Sequence, residues 1–441
     1  MNIKTVAKIF NDTIMELSEN KSEFCHCPHK DFTRKRKLNF ENVIRSILAM
    51  NGKTLTNELF NIYGYSPTTP SASAFVQQRS KLSENAMPML FKKLNNSFDK
   101  DLRYEGYRLI SVDGCHIHVP NNPDDPESYV KVTEKEHFHN EFHLNACWDI
   151  IQGTFIDAIV QKYRTQNEDK ALIEMVERTS FDKAIFVCDR GYEAYNNLAH
   201  IQESGHKYVI RIKEKGGRGI IDGFDIDSEN EYDMYFELAI TRKGSKEIRE
   251  FAKECRNKCR YIPLNVKFDY LKPPNYKDPA EFYILKFRIL RVRISDSVYE
   301  TLVTNLDSNT FPASKIKEIY GMRWGIETSF RHLKYAIGLL KFHSRKSQFV
   351  TQEIYAGLIM YNMTIVVVSC ISLEKKKRKY EYHIKISVAI NIVRKLLTGG
   401  VDPPAAEILL TRNISPIRPN RNFPRKKRAA KEPVNFMYRI A

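Results

Sequence analysis

Three patterns of apolar positions follow one another along the chain, and each predicts a different kind of element. Over residues 1–100 the apolar positions recur at helical spacing. The first twenty residues read as an amphipathic helix without an apolar core of signal-peptide length. Phe40–Met50 is periodic, Asn51-Gly52 marks a turn, and Thr54–Tyr63 is periodic again. Pro70 then opens a third helix carrying Phe75, Gln77, Gln78, Arg79 and Lys81. Short helices divided by tight turns, the last rich in Gln, Arg and Lys, suit a DNA-binding bundle or equally a dimerisation or packing bundle.

From about residue 107 the pattern changes to strands. Tyr107–Asp113, Phe142–Asp149 and Thr154–Gln161 are β-rich, with Gln152-Gly153 as the hairpin turn between the last two. A helix over Asn167–Thr179 leads to Lys183–Asp189, whose near-continuous apolar run marks a strand covered on both faces. A helix over Glu193–Glu203 and a strand over Lys207–Lys213 follow. Three hairpin-linked strands, then helix, strand, helix and strand, is the order of a ribonuclease-H-like α/β core.

Residues 214–303 interrupt that alternation. Lys215-Gly216-Gly217-Arg218-Gly219 is a flexible loop without P-loop spacing. The strand-like runs Tyr235–Thr241, Leu264–Tyr270, Glu281–Val292 and Val298–Asn305 after it predict an inserted β-rich subdomain. From Ala313 the chain is helical to about Leu373. Ile354–Leu373 holds 20 residues without a charge, but Asn362, Thr364, Ser369 and Ser372 dilute it, and it predicts a buried helix rather than a membrane span. The expected organisation is a helical region (1–100), a first core part (101–213), the β-rich insertion (214–303), a second core part (304–373) and a basic helical C-terminal region (374–441).

Charge sharpens this division. Lys and Arg number 70 against 53 acids, a formal net charge of +17 that favours a polyanionic partner, nucleic acid before an anionic membrane. The excess is at the ends. Residues 1–100 carry 15 basic and 9 acidic side chains, and residues 374–441 carry 17 and 5, including KKKRK at 375–379 and RKKR at 425–428. The eight cysteines follow no disulfide-scaffold spacing and fit a reducing cytosol. Cys25, Cys27 and His29 look like a zinc half-site, but a second pair at suitable spacing is missing, and ordinary reduced thiols are expected.

Candidate chemistry lies in the acids of the middle. Asp113 and Asp189 each follow an apolar strand, where the carboxyl ends of an open α/β sheet bind ligands. At about 100° per residue, Tyr320, Arg323, Glu327 and Lys334 fall within an arc of about 60°. That arc borders the apolar stripe of Ile319, Ile326, Phe330, Leu333 and Ile337, so a third acid stands at the rim of a buried face; a solvated edge with an Arg323–Glu327 pair is the alternative. Three oxygen-bearing acids suit Mg²⁺ or Mn²⁺. Two such ions support in-line phosphoryl transfer, with Arg323, Lys334 and Tyr320 placed to hold phosphates.

The run Tyr320-x2-Arg323-x3-Glu327-x6-Lys334 within YGMRWGIETSFRHLK resembles the signature of the DDE transposases of the insertion sequence four family. VDG at 112–114, CDRGY at 188–192 and LVTNLD at 302–307 are similar to its other blocks, in the same order. The resemblance covers roughly residues 100–370. It implies that Asp113, Asp189 and Glu327 form a catalytic metal-binding triad for two Mg²⁺ or Mn²⁺ ions. It further implies that Tyr320, Arg323 and Lys334 contact DNA near the transposon end, with Arg190 and Tyr192 in the block after the second Asp. Trp324 is placed to stack on an unpaired terminal base or to pack, and Arg79 and Lys81 are further candidate DNA contacts. His116, His118, His137, His139 and His143 read as DNA-facing or structural, with a metal role as the lesser alternative. The implied activity is cut-and-paste transposition by a homodimer on terminal inverted repeats and target DNA, in the bacterial cytoplasm at the nucleoid. A metal nuclease without strand transfer and a DNA-binding regulator with vestigial catalysis are the rival expectations.

Overall fold

The computed structural model describes residues 1–130, 139–217, 219–226, 230–272, 282–295, 298–373 and 379–417. Polar N-caps start the N-terminal helices where the sequence offers them. Asn2, Asn39, Thr54 and Ser71 each accept an amide of the first turn of α1 (Ile3–Glu19), α2 (Phe40–Ala49), α3 (Leu55–Ile62) and α4 (Ala72–Arg79). A fifth helix, α5 (Ala86–Phe98), falls within the stretch expected to be helical, though its bounds were not among those predicted, and Met87, Leu90, Phe91 and Leu94 bury its apolar face.

The sheet begins with β1 (Arg108–Val119), β2 (Tyr129–Val130), β3 (His139–Asp149) and β4 (Thr154–Lys162). Then come α6 (Glu168–Glu177), β5 (Ala184–Cys188), α7 (Tyr195–Glu203) and β6 (Lys207–Arg211). β4, β3 and β1 are antiparallel neighbours, and β1, β5 and β6 run parallel. Parallel strands need crossovers, and α6 and α7 supply them. Both cover one face of the sheet with Leu172, Met175, Val176, Leu198 and Ile201.

Residues 214–303 contribute β7 (Tyr232–Thr241), α8 (Lys246–Glu254), β8 (Cys259–Tyr261), β9 (Tyr283–Ser295) and β10 (Val298–Thr304). β10 pairs antiparallel with β6, so these strands prolong the core sheet, in the order β6-β10-β9-β7-β8. Leu264–Tyr270, expected as a strand, forms turns instead. Arg242 accounts for this, donating to the carbonyls of Pro263, Val266, Phe268 and Leu271 and so taking acceptors a ladder would have used.

Opposite α6 and α7 lie α9 (Ala313–Met322), α10 (Trp324–Arg331), a π-helical turn (His332–Ile337) and α11 (Ser347–Ser369). The uncharged stretch forms much of α11, which is buried between the N-terminal helices and β4. Asn362 is tolerated there because its side chain accepts from the Phe155 amide (2.9 Å) and donates to the Phe155 carbonyl (2.6 Å) on β4. Among the described residues no helix is long and apolar enough to cross a membrane. β11 (Tyr382–Ile384), α12 (Ile386–Leu397), α13 (Pro403–Arg412) and β12 (Ile414–Pro416) close the fold, with α12 packed on α11. RKKR at 425–428, most of KKKRK at 375–379, and His137 lie outside the described residues.

Candidate active site

Asp113 does not end its strand as the apolar run suggested. β1 continues to Val119 paired with β3, while its other neighbour stops: Val112 pairs with Cys188, the last residue of β5. Asp189 follows immediately and turns the chain, its Oδ1 accepting the Gly191 amide at 2.7 Å. The two aspartates therefore stand side by side where a parallel pair ends and the sheet opens.

Glu327 comes to them from α10. Gly325 permits the approach, since a methyl group there would overlap the Trp148 ring of β3. Arg323 joins the acids, with Nη2 3.0 Å from Glu327 Oε1 and Nη1 3.7 Å from Asp113 Oδ2. Its guanidinium is also about equally near the rings of Tyr320 and Trp324, 5.6 Å from each centroid. One guanidinium serves two of the three carboxylates. Burial, added to by Asp189 and Glu327 and opposed by Arg323 and the Gly114 amide, pushes the Asp113 carboxyl up to about 7. A cluster so short of positive charge and so rich in hard oxygen donors fits divalent ions of the Mg²⁺ or Mn²⁺ class.

The helical wheel holds only in part. At Arg323 the dihedrals remain helical (φ −50°, ψ −34°), but the bonds Arg323 N to Tyr320 O and Ile326 N to Arg323 O tighten to three-residue spacing. After Arg331 the chain widens into the π-helical turn, so the 100° projection of Lys334 onto the same stripe does not transfer. Lys334 is half-buried and lies near enough to Cys115 of β1 to act on it electrostatically. Tyr320 and Arg323 are buried, at 4% and 5% exposure. Tyr192, in the chain block of Asp189, is buried too, in the separate core cluster that α6 and α7 form on the other face of the sheet. Arg190 is exposed, and so is Trp324, at 50%.

Arg79 corrects the sequence expectation. It is 1% exposed and donates to Gln352 Oε1 (2.7 Å), Glu353 Oε1 (2.9 Å) and the Phe349 carbonyl (2.6 Å), tying α4 to α11 rather than facing DNA. A helix that packs on another helix must bury one side, and Arg79 lies on that side with Phe75. Lys81, two residues on, instead lines a recess of about 370 Å³ with Lys30, Arg34 and Arg36.

Glu168 was missed. It opens α6, bonds His143 at 3.1 Å, and comes within 3.7 Å of where a methyl on Gly191 would sit, so a fourth carboxylate borders the Asp189 turn. An acid after Asn167 reads as ordinary first-turn chemistry, and its sequence position carries no sign of this contact.

The family profile for the transposase DDE domain matches residues 104–363. The InsG transposase of insertion sequence IS4 from Escherichia coli K12 is 22% identical over 346 residues, covering 75% of this chain and 70% of that protein. The transposase of insertion sequence IS231E from Bacillus thuringiensis subsp. finitimus is 23% identical over 268 residues, covering 53% and 52%. A cryo-EM structure of the piggyBac transposase synaptic complex with hairpin DNA aligns with 90% of this chain and 80% of its own, at a TM-score of 0.44 and 11% identity. With the matched span exceeding half of the chain and holding Asp113, Asp189 and Glu327 alike, this protein belongs to the DDE transposases of the insertion sequence four family, enzymes that cleave and transfer DNA strands.

Proposed function

We propose that this chain binds the terminal inverted repeats of its own element, cleaves the DNA ends and joins their 3′-hydroxyls to target DNA. The observation that carries the reading is the convergence of Asp113, Asp189 and Glu327 at the end of β5, with Arg323 between Asp113 and Glu327. The order β4-β3-β1-β5-β6, antiparallel then parallel, supports a ribonuclease-H-like core beneath them.

Asp113, Asp189 and Glu327 would hold two Mg²⁺ or Mn²⁺ ions, which when bound activate the attacking oxygen and stabilise the departing one. Arg323 orients two of the ligands by bonding Glu327 and approaching Asp113 from below the surface, and Tyr320 flanks its guanidinium. Arg190, Trp324 and Lys334 surround the carboxylates from more exposed positions and are the DNA contacts, Arg190 and Lys334 on phosphates and Trp324 by stacking. The recess of Lys30, Arg34, Arg36 and Lys81 engages the duplex farther from the chemistry. Two chains pair the two ends in a synaptic complex.

Asp113→Ala, Asp189→Ala and Glu327→Ala are each expected to abolish strand cleavage while binding to an end fragment persists. Full cleavage by any one of them would sink the triad. Supplying a pre-cleaved end separates strand transfer from plain hydrolysis: joined products are expected, and hydrolysis without joining would favour a nuclease.

A further inference from the structure

The strand that carries Asp113 continues into a second cluster of chemistry-bearing side chains. His116-Ile117-His118 lies on β1, and His139-Asn140-Glu141-Phe142-His143 opens β3. Both place alternate side chains on alternate faces, so His116 and His118 share one face of β1 and His139, Glu141 and His143 share one face of β3. The antiparallel register pairs His118 with Glu141 and His116 with His143, which puts the two sets on the same face; His139 joins them two residues from Glu141. This is the opposite face from Asp113, because Asp113 and His116 are an odd number of residues apart on one strand.

We propose that His118, His139 and Glu141 form a second metal site, for a borderline transition ion of the Zn²⁺ class, separate from the Asp113–Asp189–Glu327 centre. One ligand atom from each lies within 4.8 Å of the others. His139 Nε2 and Glu141 Oε2 are 3.3 Å apart. Tetrahedral ligands at about 2.0–2.1 Å from zinc are themselves separated by roughly 3.3 Å, so this pair already has coordination spacing, and the His118 ring closes the set by a rotamer-scale movement. Two imidazoles and one carboxylate select zinc-like ions over Mg²⁺, which prefers an all-oxygen shell.

The surroundings are those of a built site. The Glu141 side chain is 8% exposed, and its other oxygen, Oε1, is held by His116 Nδ1 at 2.7 Å, an outer contact that fixes the carboxylate for coordination. His116 stands edge-on to His143 with ring centroids 4.7 Å apart, and His143 bonds Glu168 beside the Asp189 turn. Gly114 leaves room for this arrangement, since a methyl there would overlap the His143 ring. An ion in this second site would thus sit at the far end of a side-chain relay that reaches the Asp189 turn.

The test is Co²⁺ titration of the full-length, metal-stripped protein in excess Mg²⁺, followed by visible absorption. One equivalent is expected to give the intense bands of a four- or five-coordinate nitrogen and oxygen site, to be displaced by Zn²⁺, and to raise Tm. The bands should persist in the Asp113→Asn, Asp189→Asn, Glu327→Gln triple variant, which separates this site from the triad. His118→Gln and His139→Gln should each weaken binding at least tenfold. Wild-type protein that leaves the spectrum of aqueous Co²⁺ unchanged would overturn the proposal without recourse to any variant. So would bands that survive in a folded His118→Gln protein or vanish in the triple variant.

Discussion

Asp113 is caught between burial and the charges around it, and this makes its protonation a measurable property of the site. With its carboxyl pushed up to about 7, the folded state holds a proton that the unfolded chain releases near pH 4. The stabilising contribution of that proton is complete below the unfolded value and is lost as pH rises through about 7. In metal-free protein, Asp113→Asn should therefore be near neutral at pH 4 and stabilising at pH 8, on the order of 1–3 kcal/mol by thermal unfolding. A substitution that destabilises equally at both pH values would contradict this account of the site. Because a divalent ion must displace that proton, Mg²⁺ affinity should also fall below pH 7, and a flat profile between pH 6 and 8 would argue against Asp113 as a ligand.

Among residues, type and spacing only singled out the three acids, since an aspartate after a strand is commonly a turn or cap residue and Glu327 could have sat on a solvated helix edge; the resemblance to the transposases joined them as a set. Their partner was only half legible. The four-residue spacing of Arg323 and Glu327 announced a pair, but only the fold shows that the same guanidinium also approaches Asp113, more than two hundred positions earlier.

At the scale of elements, most helices and strands near the site follow their periodicities, but β1 runs on past Asp113 to Val119 and the expected helix from Ala313 divides into α9, α10 and a π-helical turn. α10 is held against the sheet by the contact of Gly325 with the Trp148 ring, a distance no periodicity encodes. Gly325→Val should push α10 off β3 and carry Glu327 with it. We expect cleavage to drop at least tenfold at a stability cost of about 1–3 kcal/mol, read by product yield and denaturant midpoint; unimpaired cleavage would show that α10 tolerates the shift. Arg79 gives the complementary case. Burial would raise the Glu353 carboxyl, but His343 and Arg79 outweigh it and hold it at about 2. Arg79→Ala should leave that carboxylate poorly paired inside the bundle and cost roughly 3–5 kcal/mol, seen as a lower unfolding midpoint, whereas weaker DNA binding at unchanged stability would restore the surface role first expected of it.

For the molecule as a whole, the charge distribution carries the clearest consequence. A near-neutral middle flanked by basic ends implies that DNA affinity depends more on the ends than on the catalytic face. Each phosphate neutralised contributes about −0.9 to the slope of log affinity against log salt. Neutralising the basic runs at 375–379 and 425–428 should flatten that slope more than neutralising Arg190 and Lys334 together, as measured by binding of an end fragment across a salt series. The reverse ranking would move the main DNA grip to the site itself. The strands of residues 214–303 belong to this scale too. Their alternation was readable, but their pairing was not, and the pairing of β10 with β6 joins the expected insert to the core sheet.

What the sequence determined by itself were the properties that a residue carries with its neighbours: helical and strand periods, the identity of the acids, the uncharged stretch that became α11, and the concentration of charge at the ends. Only the tertiary structure decided which charged groups lose their water and to whom they turn. Arg79 is sealed into the bundle, Arg323 serves two acids from different elements, Glu168 reaches the Asp189 turn, and the histidines of β1 and β3 meet on one face. The reason is physical. Secondary structure answers to local dihedral and burial patterns, whereas the cost of desolvating a charge is met by partners that strand register and helix packing bring from far along the chain.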